Sequence, residues 1–279
     1  HRQRWTLLVP FFMVLITLWH APYPIMAWQL ANKHWNLLLA EQALTNGDAM
    51  TAANAASKAL AYDGQSVLAR VALARAALRN GDETTALHWL DEAISVLPAH
   101  PYPHLLRGDV LRRQGDLIAA QRELNGFATA SREDLAAWLW ARAVTPPPTR
   151  LLLGDGLDLG FIRGMHQPLP GEHHWRWTTR WAQVRLTAPA GAQQIALTLQ
   201  SGRPDKSAVT IWVTVTGRKP QPFTIGADRQ TITLPLPITT SSREVIISIR
   251  SPTFWPRQYD PASADGRRLG VQLVFAEVR

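Results

Sequence analysis

The feature that most narrows the fold is a turn that recurs at a fixed interval. Asn46-Gly47-Asp48, Asn80-Gly81-Asp82 and Gln114-Gly115-Asp116 set glycines at 47, 81 and 115, a constant 34-residue spacing. An alanine follows each glycine five positions on (Ala52, Ala86, Ala120). Ala59 and Ala93 follow at twelve, where the third copy has Phe127. The intervening segments are rich in Ala, Leu and Arg and poor in β-branched residues, which favours helix. Glycine accepts φ > 0 at little steric cost, so it can close one helix and reverse the chain. The aspartate behind it can cap the next helix, and alanine at the crossing lets paired helices approach closely. Residues 31–144 are therefore expected to form helical hairpins stacked as a solenoid.

This period resembles the tetratricopeptide repeat (TPR) family over roughly residues 33–134. Pro98 occupies the family's repeat-ending proline, where Gly64 and Arg132 stand in the other copies. Gly108 takes the first-helix glycine position, which Ala40 and Ala74 fill earlier. Ser131-Arg-Glu-Asp134 reads as a cap with acidic first-turn residues, opening a helix over Leu135–Arg142 that covers the last repeat. Thr145-Pro-Pro-Pro148 reads as a stiff linker. The resemblance implies a partner-binding groove, with His34, Glu41, Arg75, Arg79, Tyr102, Asp109, Arg112 and Arg113 at its positions. Of these, Arg75, Arg79, Tyr102, Arg112 and Arg113 are the expected partner-binding set, suited to an acidic peptide or a C-terminal carboxylate. Arg75 and Arg79, four apart, fit a solvated helix face as well.

At the start, Arg2 and Arg4 precede an uncharged run from Trp5 to Trp19 that includes Phe11 and Phe12. As a helix the run spans about 22 Å, short of the roughly 30 Å hydrocarbon core. Extension to Trp28 gives about 36 Å, with Pro22 and Pro24 expected to break the helix near the interface. Trp5, Phe11, Phe12 and Trp19 are the expected anchor residues of a single-pass membrane helix. The arginines place its N-terminus in the cytoplasm and the bulk of the chain in the periplasm or outside. Cleavage as a signal peptide is disfavoured, because no clean small-x-small site follows. The chain opens on His1 instead of Met, which leaves open a longer polytopic parent.

Charge separates the two halves. Of 29 Lys/Arg and 21 Asp/Glu, residues 150–279 hold 16 and 9, so nearly all of the +8 excess lies there. No basic run exceeds two residues and no nucleic-acid motif accompanies the charge, so nucleic acid is not an expected partner. There is no cysteine, which excludes disulfides and thiolate metal sites.

From residue 150 the pattern changes to alternation. Strands are expected at Ala182–Ala188, Gln194–Gln200, Ala208–Thr216, Thr231–Leu236, Glu244–Arg250 and Gly270–Val278. With no helix between them they indicate an antiparallel, jelly-roll-like β-sandwich. Two patches are less generic. Gly160-Phe-Ile-Arg-Gly-Met-His166 leads to Glu172-His-His-Trp-Arg-Trp-Thr-Thr-Arg-Trp181, and Thr253-Phe-Trp-Pro-Arg257 precedes Asp265-Gly-Arg-Arg-Leu-Gly-Val271. Together they resemble a β-sandwich domain appended to bacterial membrane glycosyltransferases and polysaccharide-assembly proteins. That implies a glycan- or envelope-related setting.

Within the first patch, Trp175, Arg176, Trp177, Arg180 and Trp181 are the candidate glycan or partner surface. Tryptophan stacks on sugar rings and arginine meets carboxylate or phosphate. The competing reading puts the tryptophans in the core and the arginines on the surface. His166, Glu172, His173 and His174 lack metal-ligand spacing, and neighbouring histidines on a strand point to opposite sides. Asp155 and Asp158 with Glu172 are the carboxylates open to glycoside hydrolysis, but acids before a strand are commonly turn residues. No nucleophile-elbow, P-loop or dinucleotide fingerprint occurs. No metal, cofactor or enzymatic activity is expected.

The expected architecture is multidomain, α plus β: an anchor over 1–30, a three-repeat TPR solenoid with its capping helix over 31–144, a Pro-rich linker over 145–150 and the sandwich over 151–279. The expected role is a non-catalytic, membrane-anchored scaffold or accessory subunit of a bacterial envelope complex. Its partners would be membrane-complex subunits and the lipid bilayer, with an acidic peptide or saccharide as further ligand. The alternative is the exported C-terminal region of a polytopic glycan-assembly protein, of O-antigen ligase or glycosyltransferase type, whose sandwich contacts saccharide.

Overall fold

In the computed structural model, which describes residues 22–126, 132–168 and 174–279, the repeated tripeptide sits at turns between helices. Gly47, Gly81 and Gly115 have φ of 82°, 78° and 88°, a region closed to most side chains. Behind each, an aspartate accepts the N–H of the residue three on: Thr51 to Asp48 at 2.9 Å, Thr85 to Asp82 at 3.0 Å, and Ala119 to Asp116 at 3.0 Å. Hydrogen bonds from Thr51 and Thr85 hold the Asp48 and Asp82 carboxyls below their ordinary range. The helices so delimited are α1 (Pro22–Thr45), α2 (Ala49–Tyr62), α3 (Val67–Arg79), α4 (Glu83–Val96), α5 (Pro101–Gln114), α6 (Leu117–Asn125) and α7 (Arg132–Trp140).

Contacts divide the chain into His1–Pro103 and His104–Arg279. In the first unit α1 to α4 pack in succession. A small-residue core of Ala40, Ala43, Leu44, Ala52, Ala56, Leu73 and Ala76 lies among them. Lys33–Asp63 and Arg70–Glu92 tie helices together at 3.1 and 3.2 Å. In the second unit the α5 residues from His104 onward pair with α6. His104 Nδ1 lies 2.6 Å from the Glu123 carboxylate, and a Cβ on Gly108 would come within 2.7 Å of Leu124 Cγ. The expected three-repeat solenoid is therefore corrected to an α-helical bundle. The division falls inside α5, and α6 and α7 group with the strands: α7 packs on β2, and Arg112 of α5 donates to the carbonyls of Leu157 and Leu159 in the segment leading into β2.

The membrane expectation is corrected too. Among the described residues no helix is long and apolar enough to cross a membrane. Pro22 and Pro24 begin α1 instead of ending a span, since the first turn needs no N–H from them. Asn32, Lys33, His34 and Asn36 then interrupt its apolar character. The proposed anchors Trp5, Phe11, Phe12 and Trp19 lie outside the described residues. A lipid-bilayer partner and a single-pass topology have no support in the described helices.

The strands are β1 (Arg150–Leu152), β2 (Ile162–Met165), β3 (Arg176–Ala188), β4 (Gln194–Gln200), β5 (Val209–Val215), β6 (Gln221–Ile225), β7 (Gln230–Pro235), β8 (Arg243–Arg250) and β9 (Gln272–Val278). They form one antiparallel path, β6-β5-β8-β3-β9-β4-β7, with β1 on β9 and β2 on β3. β3 joins the halves, pairing with β9 at Arg176–Trp177 and with β8 from Trp181 onward. The path's two ends, β6 and β7, are consecutive in sequence. Gln230 links them by donating to Thr224 O at 3.0 Å and accepting from Gly226 N at 3.3 Å. Inward residues of every strand share one core, including Ile162, Val184, Leu197, Ile211, Ile225, Leu234, Ile247 and Leu273. The expected two-layer sandwich is thus corrected to a nearly closed antiparallel barrel.

The Pro-rich segment is pinned at both ends. Buried Asp109 accepts Val144 N at 2.6 Å, and Thr187 N donates to Pro148 O at 3.0 Å.

Candidate functional site

Alternation on β5 and β8 turns Val209, Ile211, Val213, Val245, Ile247 and Ile249 inward, so Trp212 and Arg250 face out. Register then builds a row across three strands: Arg250 is paired with Trp212 on one side and with Trp181 on the other. Directly paired antiparallel residues share a face, and strand spacing puts the two tryptophans about 10 Å apart. Both indoles are exposed, Trp181 by 45% and Trp212 by 43%. The row floors a cleft of about 760 Å³, bounded by Arg180, Ser248 and Arg268 and by the Ser251–Thr253 segment. That volume is in the range of small-molecule sites. Among the described residues, three guanidinium groups line the cleft and no carboxylate does. Arg268 in turn lies 4.3 Å from the ring centre of Trp255, itself 43% exposed.

Trp181 is held from behind. A Cβ on Gly164 of β2 would fall 2.1 Å from the Trp181 carbonyl oxygen, and Gly164 has φ of 66°. Only glycine lets β2 approach there, and the β2–β3 register shifts at that point. Arg163 places its guanidinium 5.0 Å from the Trp181 ring centre and 5.1 Å from Trp140 of α7. Arg185 continues the stack at 4.8 Å from Trp140 and 5.8 Å from Phe161, and Arg112 of α5 closes it at 4.0 Å from Phe161. Each distance lies within the cation–π range. Arg163 also donates to Gln183 Oε1 at 2.5 Å, and Gln183 donates to Ser248 in the cleft at 2.7 Å.

The sequence-predicted residues scatter. Arg75 is ion-paired with Glu41, and Arg79 donates to Leu44 O at 3.2 Å. Tyr102 meets His100 edge-on at 5.0 Å. Arg112 is buried, donating to Asp109 at 2.5 Å and to Leu157 O and Leu159 O at 2.5 and 2.8 Å. Arg113 is exposed. Arg75, Arg79 and Tyr102 belong to the first unit, Arg112 and Arg113 to the second.

Of the Trp–Arg patch, Arg180 and Trp181 reach the cleft. Trp175 is half-buried, and Trp177 packs with Phe254 and Leu269 in a small core cluster. Arg176 is 1% exposed and forms a two-point ion pair with Asp158, whose other bond comes from Gly154 N at 2.9 Å. Trp212, Arg250 and Arg268, which complete the cleft, were not among the candidate site residues, although Arg268 falls in the Asp265–Val271 patch. Trp212 was visible as the one aromatic amid the alternating Val209–Val215 strand.

The two described acids are engaged differently. Asp158 is occupied by Arg176. Asp155 lines a separate cleft of about 450 Å³ bounded by Leu117, Pro148, Phe161 and Phe275, in which it is the acid. Burial, reinforced by the nearby Asp158 charge, raises its pKa from 3.8 to about 6. His166 Nε2 lies 2.7 Å from Arg268 O, and His174 is exposed with φ of 70°. Glu172 and His173 lie outside the described residues. No group of three potential ligands able to hold a metal ion occurs among the described residues.

No known family matches the chain, and no curated protein matches it, so the tetratricopeptide and appended-sandwich resemblances are not sustained. Among solved structures, a family 35 carbohydrate-binding module from Clostridium thermocellum aligns at 12% identity and TM-score 0.28, over 46% of this chain and 96% of that one. An exo-β-1,3-galactanase from Phanerochaete chrysosporium aligns at 12% and 0.25, over 38% and 23%. A family GH115 4-O-methyl-α-glucuronidase aligns at 13% and 0.29, over 86% and 33%. The chain thus spans about a quarter of the length of the galactanase. At these TM-scores the likenesses assign neither fold nor activity. The expectation of a membrane-anchored scaffold is corrected by the helices themselves: among the described residues none is long and apolar enough to cross a membrane.

Proposed function

We propose that the barrel binds a saccharide in the Trp181–Trp212 cleft. The observation that carries this is the cross-strand row of two exposed indoles about 10 Å apart flanking Arg250 on one face. Indole faces are apolar and flat, so they stack on the C–H faces of sugar rings, while adjacent guanidinium groups donate to ring hydroxyls or acids. The spacing matches the span of a disaccharide. An exposed indole on a sheet costs solvation and is not required for folding here, since the inward faces of the same strands already fill the core.

The test is binding of the whole chain to an oligosaccharide array, followed by calorimetry on the best ligand. Trp181→Ala and Trp212→Ala are expected to weaken binding about tenfold each, roughly 1.4 kcal/mol, with circular dichroism unchanged. Equal affinity in both variants, or no retention of any saccharide, would sink the proposal.

A further inference from the structure

We infer that the ligand of this cleft is an acidic saccharide whose anionic group is met by Arg250 between the two tryptophans. The inference rests on the saccharide reading above and concerns the charge of the ligand. Arg180, Arg250 and Arg268 all line the cleft, and among the described residues no aspartate or glutamate does. Elsewhere in the second unit Arg112, Arg176, Arg267 and Arg279 are ion-paired with Asp109, Asp158, Asp265 and Glu277, while Arg150, Arg163, Arg185 and Arg203 lie over aromatic rings. Among the described residues the three cleft arginines form no ion pair. Three like charges with water on one side and protein on the other raise the local potential and concentrate anions there.

Geometry gives Arg250 the central place. It is paired across both neighbouring strands with an indole, so its fork of donors emerges midway between two stacking platforms. A carboxylate, sulfate or phosphate ester on a sugar seated on either ring falls within reach of it. Planar guanidinium matches such oxyanions in two-point contact, which a hydroxyl cannot reproduce. Ser248, on the same face two residues along β8, adds a neutral donor beside it. A neutral sugar would leave the three guanidinium groups without a counter-charge.

The experiment compares matched probes by calorimetry with the whole chain: oligogalacturonate against its methyl ester, a sialylated oligosaccharide against its asialo form, and a sulfated oligosaccharide against its desulfated form. At least one acidic member is expected to bind about tenfold tighter than its neutral partner. Which pair responds tells carboxylate from sulfate. The preference should shrink with added salt and fall to within about threefold in Arg250→Gln. Arg250→Lys, which keeps the charge and loses the two-point fork, should fall between. Equal binding of acidic and neutral members, unchanged in Arg250→Gln but lost in Trp212→Ala, would overturn the acidic ligand and leave the saccharide reading standing. Silence on every sugar, with retention of a single-stranded oligonucleotide instead, would overturn both.

Discussion

Replacing Asp158 by asparagine keeps the shape of the side chain and removes its charge. Asp158 is fully buried and Arg176 is 1% exposed, and they meet through two hydrogen bonds, with Gly154 N a further donor to the carboxylate. The substitution leaves Arg176 as a buried cation whose remaining partners are neutral, Gln167 Oε1 at 3.1 Å and the His166 carbonyl. Breaking one side of such a pair typically costs about 3–5 kcal/mol. With a urea slope of roughly 2 kcal/mol per molar, the unfolding midpoint of the second unit should drop by about 2 M. The double variant Asp158→Leu/Arg176→Met removes both charges and should lose less than Asp158→Asn alone, because buried pairs repay little of their own desolvation. The assay is urea denaturation followed by circular dichroism, with a double-mutant cycle from the single variants. Still-folded Asp158→Asn should also retain its saccharide affinity, since Arg176 is sequestered from the cleft. A loss under about 1 kcal/mol, or additive losses in the double variant, would refute the claim that this ion pair is a structural unit.

Two further outcomes follow from the same geometry. The folded-state pKa of Asp155, about 6, lies above its ordinary 3.8, so folding favours the protonated acid. The stability this gives is fully present below pH 3.8 and is lost as pH rises through 6. Asp155→Asn should therefore flatten the stability profile across that window and exceed the parent at pH 7; parallel profiles would count against it. Gly164→Ala forces a Cβ to within 2.1 Å of the Trp181 carbonyl at a φ of 66°. About 1–3 kcal/mol of stability should go, along with part of the saccharide affinity. Unchanged denaturation and binding would mean β2 does not set the position of Trp181.

Local chemistry was legible in the sequence, and register was not. The glycine–aspartate turns and the alternating runs of β5 and β8 carry their signal within a few residues, so the turns, caps and inward faces fall where the pattern puts them. Pro22 and Pro24 carry no such direction, since proline suits the first turn of a helix as well as the point beyond its last. Simple alternation puts Arg176 and Trp177 on opposite faces of β3 with one of them in solvent. Both are buried, because β3 leaves β9 after Trp177 and takes up β8 at Trp181, and Asp158 waits eighteen positions away with no periodic trace. The cleft depends on the same kind of information: Trp181, Trp212 and Arg250 become neighbours only when three strands are set in register. Sandwich and barrel differ in where β6 and β7 meet, which short strands with proline and polar residues do not announce.

The stack of Arg112, Phe161, Arg185, Trp140, Arg163 and Trp181 gives the helices of the second unit a bearing on the cleft. Arg185 buries its Nε and one terminal nitrogen without a hydrogen-bond partner among the described residues, and burial lowers its pKa. Such a cation is tolerable because the faces of Trp140 and Phe161 lie against it, and Glu244 and Asp109 add attraction from farther away. Arginine here is therefore a spacer between rings as much as a charge. One consequence reaches the cleft. An indole free to change rotamer loses entropy when a sugar docks on it, whereas one already stacked against Arg163 has lost part of it on folding. Trp181 is held in this way, and among the described residues Trp212, on the far side of Arg250, has no comparable stack. The two walls of the cleft thus differ in stiffness, with a rigid platform at Trp181 to orient the first ring and a more adaptable one at Trp212 to accept variation in the second.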